Sequence, residues 1–553
     1  MITRLKGATV YDPVHHADGE VRDLYMESGR MVEVAGESAR IGRDVDLSGK
    51  VVMAGAIDMH THIGGGKVNI ARMMLPERGG ALPGTQYTAP GCGGHAPATL
   101  TTGYRYAQMG YTACFEPALL PANARQAHME MADTPIVDTG AYALLGNDDY
   151  LLGLLRDGAD QQAVNDYVAW TLDATQCIGV KVVNPGGINA FKFNQRQLDV
   201  DEQGEHYGVR PRDIVRVLTR ALHELGVPHP LHVHASNLGV PGNFESTLAT
   251  MGAAEGRPVH LTHVQFHSYG AEGKRGFSSA AAQIAEAVNA RSHVSVDVGQ
   301  IMFGQTVTLS GDTMSQFRNR GLASPRKSVF MDIECDAGCG VVPFRYRDRN
   351  FVNALQWAIG LELFLSIDDP WRVFLTTDHP NGAPFTSYPH LIRLLMDRTF
   401  RNERLEAIHP GAAKHSHLGA LDREYSLNEI AIMTRAGPAR LLGLADRGHL
   451  GRGAVADITV YDPHADRERM FERPHSVYKD GELVVEHGEL SAVTQGRTLA
   501  VKPDYDAGVE RRLAAHFERY HTVRLANFKI SQDEMVDHIG SEVVVQPCRD
   551  GVT

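Results

Sequence analysis

Polar and apolar residues alternate at both ends of the chain and change rhythm between them. Near the start, "GATVYDP" and "VRDLYMESGRMVEVA" alternate residue by residue, with turn formers between the runs, which predicts short β-strands. Near the other end "GAVADITVYDP" takes up the same pattern. The string Thr-Val-Tyr-Asp-Pro occurs twice, at Thr9–Pro13 and Thr459–Pro463. Two copies do not make a solenoid. They predict one small β domain fed by both ends and interrupted by the middle of the chain.

Between residues 54 and 440 the pattern becomes strand, loop, helix. In "RDIVRVLTRALHELGVP", Ile214, Val217, Leu218, Ala221, Leu222 and Leu225 fall on one helical face, and Gly226 and Pro228 stop the helix. "PLHVHASN" follows as a short strand. A second unit runs from the helical "SSAAAQIAEAVNA" into the strand "HVSVDVG". Alternation sustained over so long a stretch predicts an α/β protein built on a (β/α)8 barrel with insertions. The rival, a doubly wound nucleotide fold, lacks a GxGxxG or Walker sequence opening a helix. The last 50 or so residues read as a helix and a tail.

Composition narrows the class. With 553 residues, 43% hydrophobic and 22% charged, the chain has the profile of a multidomain globular protein. No apolar run has the length of a membrane span and the start lacks a secretory core, so a cytoplasmic location is expected. A net charge of −12 argues against wholesale nucleic-acid binding. Six scattered cysteines, Cys92, Cys114, Cys177, Cys335, Cys339 and Cys548, form no CxxC pair, which excludes a Cys-rich metal module. The unusual count is 27 histidines.

At that frequency chance alone gives about one HxH pair; three occur, His60/His62, His232/His234 and His415/His417. The last lies in polar "AKHSHLGALD" and reads as surface. The first differs. "VVMAGAIDMHTHIGGG" drives an apolar strand into His60 and His62, which share a face, and Gly64–Gly66 let the backbone turn away. At the mouth of a barrel both imidazoles are suited to a metal. Lys181 in "CIGVKVVNPGG" is a lysine inside a Val-rich strand, where an unpaired ammonium is costly. It is either a snorkelling strand-end residue or a free amine able to capture CO₂ as a two-oxygen carbamate ligand. His234 and His263 also follow apolar residues and precede polar turns, as does Asp378 in "FLTTDHPNG". His232 shares a face with His234 and His267 lies close behind His263, so spacing does not decide which imidazoles bind metal.

With these residues in this order the chain resembles the metal-dependent amidohydrolase superfamily. Strings beyond the ligands, "KVVNPGGINAFKFN", "HVHASNLGVPGNFESTL", "HLTHVQFHSYG", "VSVDVGQIMFGQTVTLSGD" and "TTDHPNGAPFTSYPHLI", are similar to one family within it. That family comprises the A-type subunits of formylmethanofuran dehydrogenase and of the formyltransferase/hydrolase complex of methylotrophic bacteria. The resemblance implies a TIM-type barrel over residues 54–440 and a small β-sandwich from residues 1–53 and 441–500. Residues 501–553 remain as a C-terminal extension, either an element for subunit docking or a disordered end. It implies two zinc ions, one held by His60, His62 and Asp378 and the other by His234 and His263, with carboxylated Lys181 bridging them. Asp378 is then general base and acid in the interconversion of N-formylmethanofuran and water with formate and methanofuran. Asn184, Asn237, Gln265 and His267 are candidates for orienting the site. Arg345 and Arg347 are candidates for a basic track under the substrate's glutamyl tail. A formyltransferase and other subunits are the implied partners, and the Arg-rich composition leans towards the bacterial branch and net hydrolysis. The rival readings are formate condensation, a cyclic amidase of the dihydropyrimidinase or hydantoinase type, and a metal-free scaffold.

Overall fold

The computed structural model describes residues 1–33, 41–74, 96–195, 197–273, 276–308, 333–335 and 339–549. Cys92 and parts of the insertions that follow the first barrel strand and precede the eighth lie outside these residues. Eight parallel strands form the barrel: β1 (Ala56–Asp58), β2 (Tyr111–Leu119), β3 (Asp138–Leu145), β4 (Gly179–Val183), β5 (Leu231–His234), β6 (Val259–Leu261), β7 (Val294–Asp297) and β8 (Val373–Phe374). The sheet closes where a parallel bridge joins Thr61 to His379, and His62 N–H donates to the His379 carbonyl at 2.9 Å. The amphipathic helix at Pro211–Glu224 buries Ile214, Leu218, Ala221 and Leu222, as its periodicity predicts. No helix among the described residues is long and apolar enough to cross a membrane.

Barrel interiors of this kind are ordinarily filled by branched apolar side chains. Here the axis is polar. Asp58, Lys181, His232, His260 and Asp297 are all buried within it, with Tyr142 stacked on His229 and tilted against His232.

Strands from both chain ends join in one nine-stranded sheet with its own apolar core, including Leu5, Val10, Leu24, Val52, Ile458 and Val460. The two Thr-Val-Tyr-Asp-Pro copies flank the same central strand, Val51–Ala54. Thr9 and Val10 pair in parallel with Val51 and Val52, while Val460 and Tyr461 pair antiparallel with Val52 and Val51.

Thr498–Val501, expected within the β-sandwich, instead joins the barrel sheet. It pairs in parallel with the start of β3 on one side and with Val543–Gln546 on the other. An apolar run such as "TLAV" fits any half-buried sheet, so its pattern carries no address. The extension as far as Arg549 packs on the chain's own barrel: Ile530 N–H donates to the Ala174 carbonyl, Lys529 pairs with Asp173, and Arg549 N–H donates to Gly226.

The small sheet is fastened to the barrel floor by a buried ionic cluster. Lys479, fully buried, lies 3.1 Å from Asp138 at the start of β3 and 3.2 Å from Asp457. Arg447 reaches Asp138 at 2.9 Å. Burial disfavours the Lys479 ammonium, but Asp138 and Asp457 overcome this and hold its pKa above the ordinary value. Lys479→Met leaves two buried carboxylates short of a partner. The expected cost is about 3–5 kcal/mol, read as a lower urea midpoint, whereas an exposed pair such as Arg156–Asp157 contributes little.

Candidate metal centre at the barrel mouth

β1 ends at Asp58, and the chain turns inward through His60 and His62. Asp58 anchors that turn: it accepts from His60 N–H at 3.1 Å and from Tyr106 OH at 2.7 Å. Burial pushes its carboxyl up to about 6 despite hydrogen bonds from Tyr388, Tyr106 and His60. The His62 Nδ1 lies 3.0 Å from Glu116 Oε1 on β2. A carboxylate only accepts, so Nδ1 carries the proton and Nε2 keeps its lone pair. The other Glu116 oxygen receives the Ile63 and Gly64 N–H groups at 2.7 and 3.2 Å, fixing the turn after the pair. Burial alone would raise the Glu116 pKa; His62 and these donors hold it below the usual carboxylate range.

Asp378 follows β8 and reaches across the mouth. Its Oδ1 lies 2.9 Å from His60 Nε2 and 3.4 Å from His62 Nε2. From β5 and β6 come His234 and His263, with ring centroids 4.6 Å apart; His60 and His263 centroids are 5.5 Å apart. His263 and Asp378 both have left-handed backbones, φ 36° and 50°. Such conformations are uncommon for these residues and cluster at functional sites.

The donor set fits a divalent cation. His62 Nε2, His234 Nε2, both His263 ring nitrogens and Asp378 Oδ2 are buried without a hydrogen-bond partner among the described residues. Such atoms are costly unless something else satisfies them. Donor atoms of His60, His263 and Asp378 lie within 4.8 Å of one another, as do those of His234, His263 and His267. Burial, then the neighbouring imidazoles and the Lys181 charge, hold His234 well below its ordinary pKa; burial does the same for His263 against the pull of Asp378. Neutral imidazole is the ligating form. Lys181 is buried in the middle of β4, in register with His232 on β5 and Leu144 on β3.

The structure separates imidazoles that spacing left ambiguous. His232 has both ring nitrogens engaged, Nε2 at 2.8 Å from His60 Nδ1 and Nδ1 at 3.1 Å from His229 Nε2, whereas His234 keeps Nε2 open to the cluster. His267 joins the cluster, its ring 5.2 Å from that of His234. The other candidates lie differently. Asn184 has φ 44° and donates its backbone N–H to the His234 carbonyl at 3.0 Å. Gln265 donates its amide to Tyr269 OH at 2.9 Å, and Asn237 to Ser246 at 2.7 Å and Asp199 at 3.1 Å; none of these three bonds orients an imidazole. Arg345 and Arg347 are exposed, at the end of and just beyond the strand Cys339–Tyr346. Four residues that sequence reasoning passed over support the site: Asp58, Glu116, Thr262, whose hydroxyl lies against His60 Nδ1, and Asp297, which accepts from the His263 N–H. The signal that flagged Lys181, an ionisable residue inside an apolar strand, was equally present in "YTACFEPAL" and "VSVDVG".

Gly299 shows how tightly the cluster is packed. A Cβ there would lie 2.3 Å from the His263 Cβ, and the residue has φ +64°. Gly299→Ala should destabilise the fold by about 1–3 kcal/mol and displace His263, read together as a lower unfolding midpoint and reduced metal uptake.

Cavity size does not locate this chemistry. A cavity of about 520 Å³ opens at the opposite end of the barrel, lined by Pro228, Ser292, Ser295 and Trp371. A smaller one of about 290 Å³ sits over the C-terminal ends of β3 and β4, lined by Leu144, Val183, Tyr150, Trp170 and Phe517. The second lies on the face where barrel enzymes place their sites.

The profile of the amidohydrolase family matches residues 43–485. The chain is 44% identical to the A-type subunit of the formyltransferase/hydrolase complex Fhc of Methylorubrum extorquens over 98% of both chains, and 40% identical to protein FwdA of Methanocaldococcus jannaschii over 96% of both. It superposes with a TM-score of 0.91, over 99% of this chain and 100% of the other, on a chain of the crystal structure of the formyltransferase/hydrolase complex (FhcABCD) from Methylorubrum extorquens with methylofuran, at 44% identity. D-aminoacylase, at 15% identity and a TM-score of 0.52 over 90% of this chain and 99% of that one, shares the fold. The chain therefore belongs to the amidohydrolase family of hydrolases acting on carbon–nitrogen bonds, as a relative of the A-type subunit of the Fhc complex.

Proposed function

We propose that this chain is the hydrolytic subunit of a cytoplasmic formyltransferase/hydrolase complex in one-carbon metabolism. It cleaves the formamide bond of N-formylmethanofuran to release formate and methanofuran, with net flow towards hydrolysis. The observation that carries this reading is the convergence of unpartnered donor atoms from His62, His234, His263 and Asp378 beside His60 and Lys181, in a chain so similar over its whole length to the Fhc A-type subunit.

His60, His62 and Asp378 on one side, and His234 and His263 on the other, would hold two zinc ions bridged by carboxylated Lys181. Bound there, the ions supply Lewis acidity that activates water and polarises the formyl carbonyl. The chain's own residues do the rest. Asp378 Oδ1 lies beside Nε2 of His60 and of His62, and its Oδ2 has no protein partner among the described residues. It takes the proton of the attacking water as general base. It then passes that proton to the amine nitrogen as the carbon–nitrogen bond breaks, so that methanofuran leaves as a neutral amine. Burial of the whole cluster excludes bulk water and strengthens each of these interactions.

The purified complex should release formate from N-formylmethanofuran and leave hydantoin intact. Hydantoin cleavage without formate release would move the reading to a cyclic amidase, and a preparation with neither activity nor bound metal would favour a scaffold.

A further inference from the structure

We propose that Asp297 is a positioning residue that sets, from beneath the cluster, how His60 and His263 present themselves to a bound cation. This rests on reading the cluster as a divalent-metal centre.

Asp297 ends β7 and is fully buried. Its Oδ1 accepts from the His263 backbone N–H at 2.9 Å and from Thr376 Oγ1 at 2.7 Å. Its Oδ2 lies 3.1 Å from His260 Nε2 and 3.4 Å from His60 Nδ1. One carboxylate thus ties together the ends of β1, β6 and β8, which carry His60, His263 and Asp378.

Each bond has a consequence for a ligand. His263 has φ 36°, a backbone that a histidine adopts only when its surroundings over-determine it. The bond from its N–H to Asp297 holds that conformation, and the conformation leaves both ring nitrogens open to the cluster. For His60, Asp297 Oδ2 at 3.4 Å, with His232 Nε2 and Thr262 Oγ1 nearer, surrounds Nδ1 with acceptors and favours the tautomer protonated there, which leaves the Nε2 lone pair free for a cation shared with Asp378. Glu116 does the same for His62 from neighbouring β2.

The same contacts argue that Asp297 is not itself a ligand. His60, His232 and Asp297 bring donor atoms within 4.8 Å of one another. However, His60 Nδ1 and His232 Nε2 lie 2.8 Å apart and are bonded to each other, and the Asp297 oxygens are taken up by four groups.

The test is zinc affinity of the full-length chain, measured by competition with a chromophoric chelator, alongside the unfolding midpoint of the metal-free protein. Asp297→Asn should bind zinc about 10–100-fold more weakly, the range for losing a carboxylate behind a metal-bound imidazole. The visible absorption of the cobalt-loaded variant should shift, which a loss of global stability alone would not produce. Thr376→Val provides the control should the first variant fail to fold. It keeps the carboxylate and the side-chain volume but removes one hydrogen bond to Oδ1 and the acceptor of the Gly299 N–H, so it should weaken zinc binding severalfold in a chain that still folds, at a lower metal-free midpoint. Wild-type affinity and an unshifted cobalt spectrum in folded Asp297→Asn, or wild-type affinity in Thr376→Val where the first does not fold, overturn the assignment of Asp297 alone. A wild-type chain that binds no zinc or cobalt overturns the metal-centre reading as well.

Discussion

Asp378→Asn should lower kcat for formate release by about 10²–10⁴-fold, the range that a positioned general base contributes. The substitution is a clean one at this position. Asp378 has φ 50°, and asparagine tolerates the left-handed region as well as aspartate does, so the turn after β8 should survive. The amide nitrogen can face Nε2 of His60 and His62, which leaves the oxygen towards the cluster and preserves the geometry of the mouth while removing the basicity. Kinetics on preparations of matched metal content check this, with KM following binding and kcat following proton transfer. A variant retaining a tenth or more of the wild-type kcat would take the role of base away from Asp378.

Lys181→Met should abolish metal loading and activity together, with a loss on the order of 10³-fold or more, because the Lewis acidity at stake amounts to several kcal/mol. Methionine keeps most of the volume within β4 and removes the amine that would carry a carbamate, so stability should change far less than activity. Lys181→Ala adds a diagnostic. The space it opens can admit a short carboxylic acid such as propionate, whose two oxygens stand in for those of the carbamate. Partial recovery of activity with propionate, saturating with concentration and absent from Lys181→Met, is the expected outcome. Full activity of either variant without additive would end the bridging role.

Both predictions concern residues that were visible in the sequence, for a common reason. His60, His62, His234, His263 and Asp378 each end an apolar run and precede a turn, and Lys181 breaks a run of valines; each is costly where it stands unless something compensates it. The supporting residues were harder to see. Glu116 sits inside β2 and Asp297 ends β7, and both act through contacts with His62, His260 and the His263 backbone, which are set by register between strands rather than by spacing along one. The amides of Asn237 and Gln265 follow ligand strands closely, yet turn to Ser246 and Tyr269. At the level of the fold, the repeated Thr-Val-Tyr-Asp-Pro string foretold that the two ends meet, but not that a third strand lies between the copies. The destination of Thr498–Val501 was illegible for the same reason: strand character is local, and partner choice is not.

The central strand of the small sheet has a consequence for how the protein is made. Val51–Ala54 emerges early from the ribosome, but its neighbour Ile458–Tyr461 lies about 400 residues later. At roughly 5–20 residues per second, that edge waits on the order of 20–80 s for its mate. Throughout that interval the nascent chain carries an apolar strand with one edge unpaired beside a barrel still under construction, which makes this segment a natural client for a chaperone during translation.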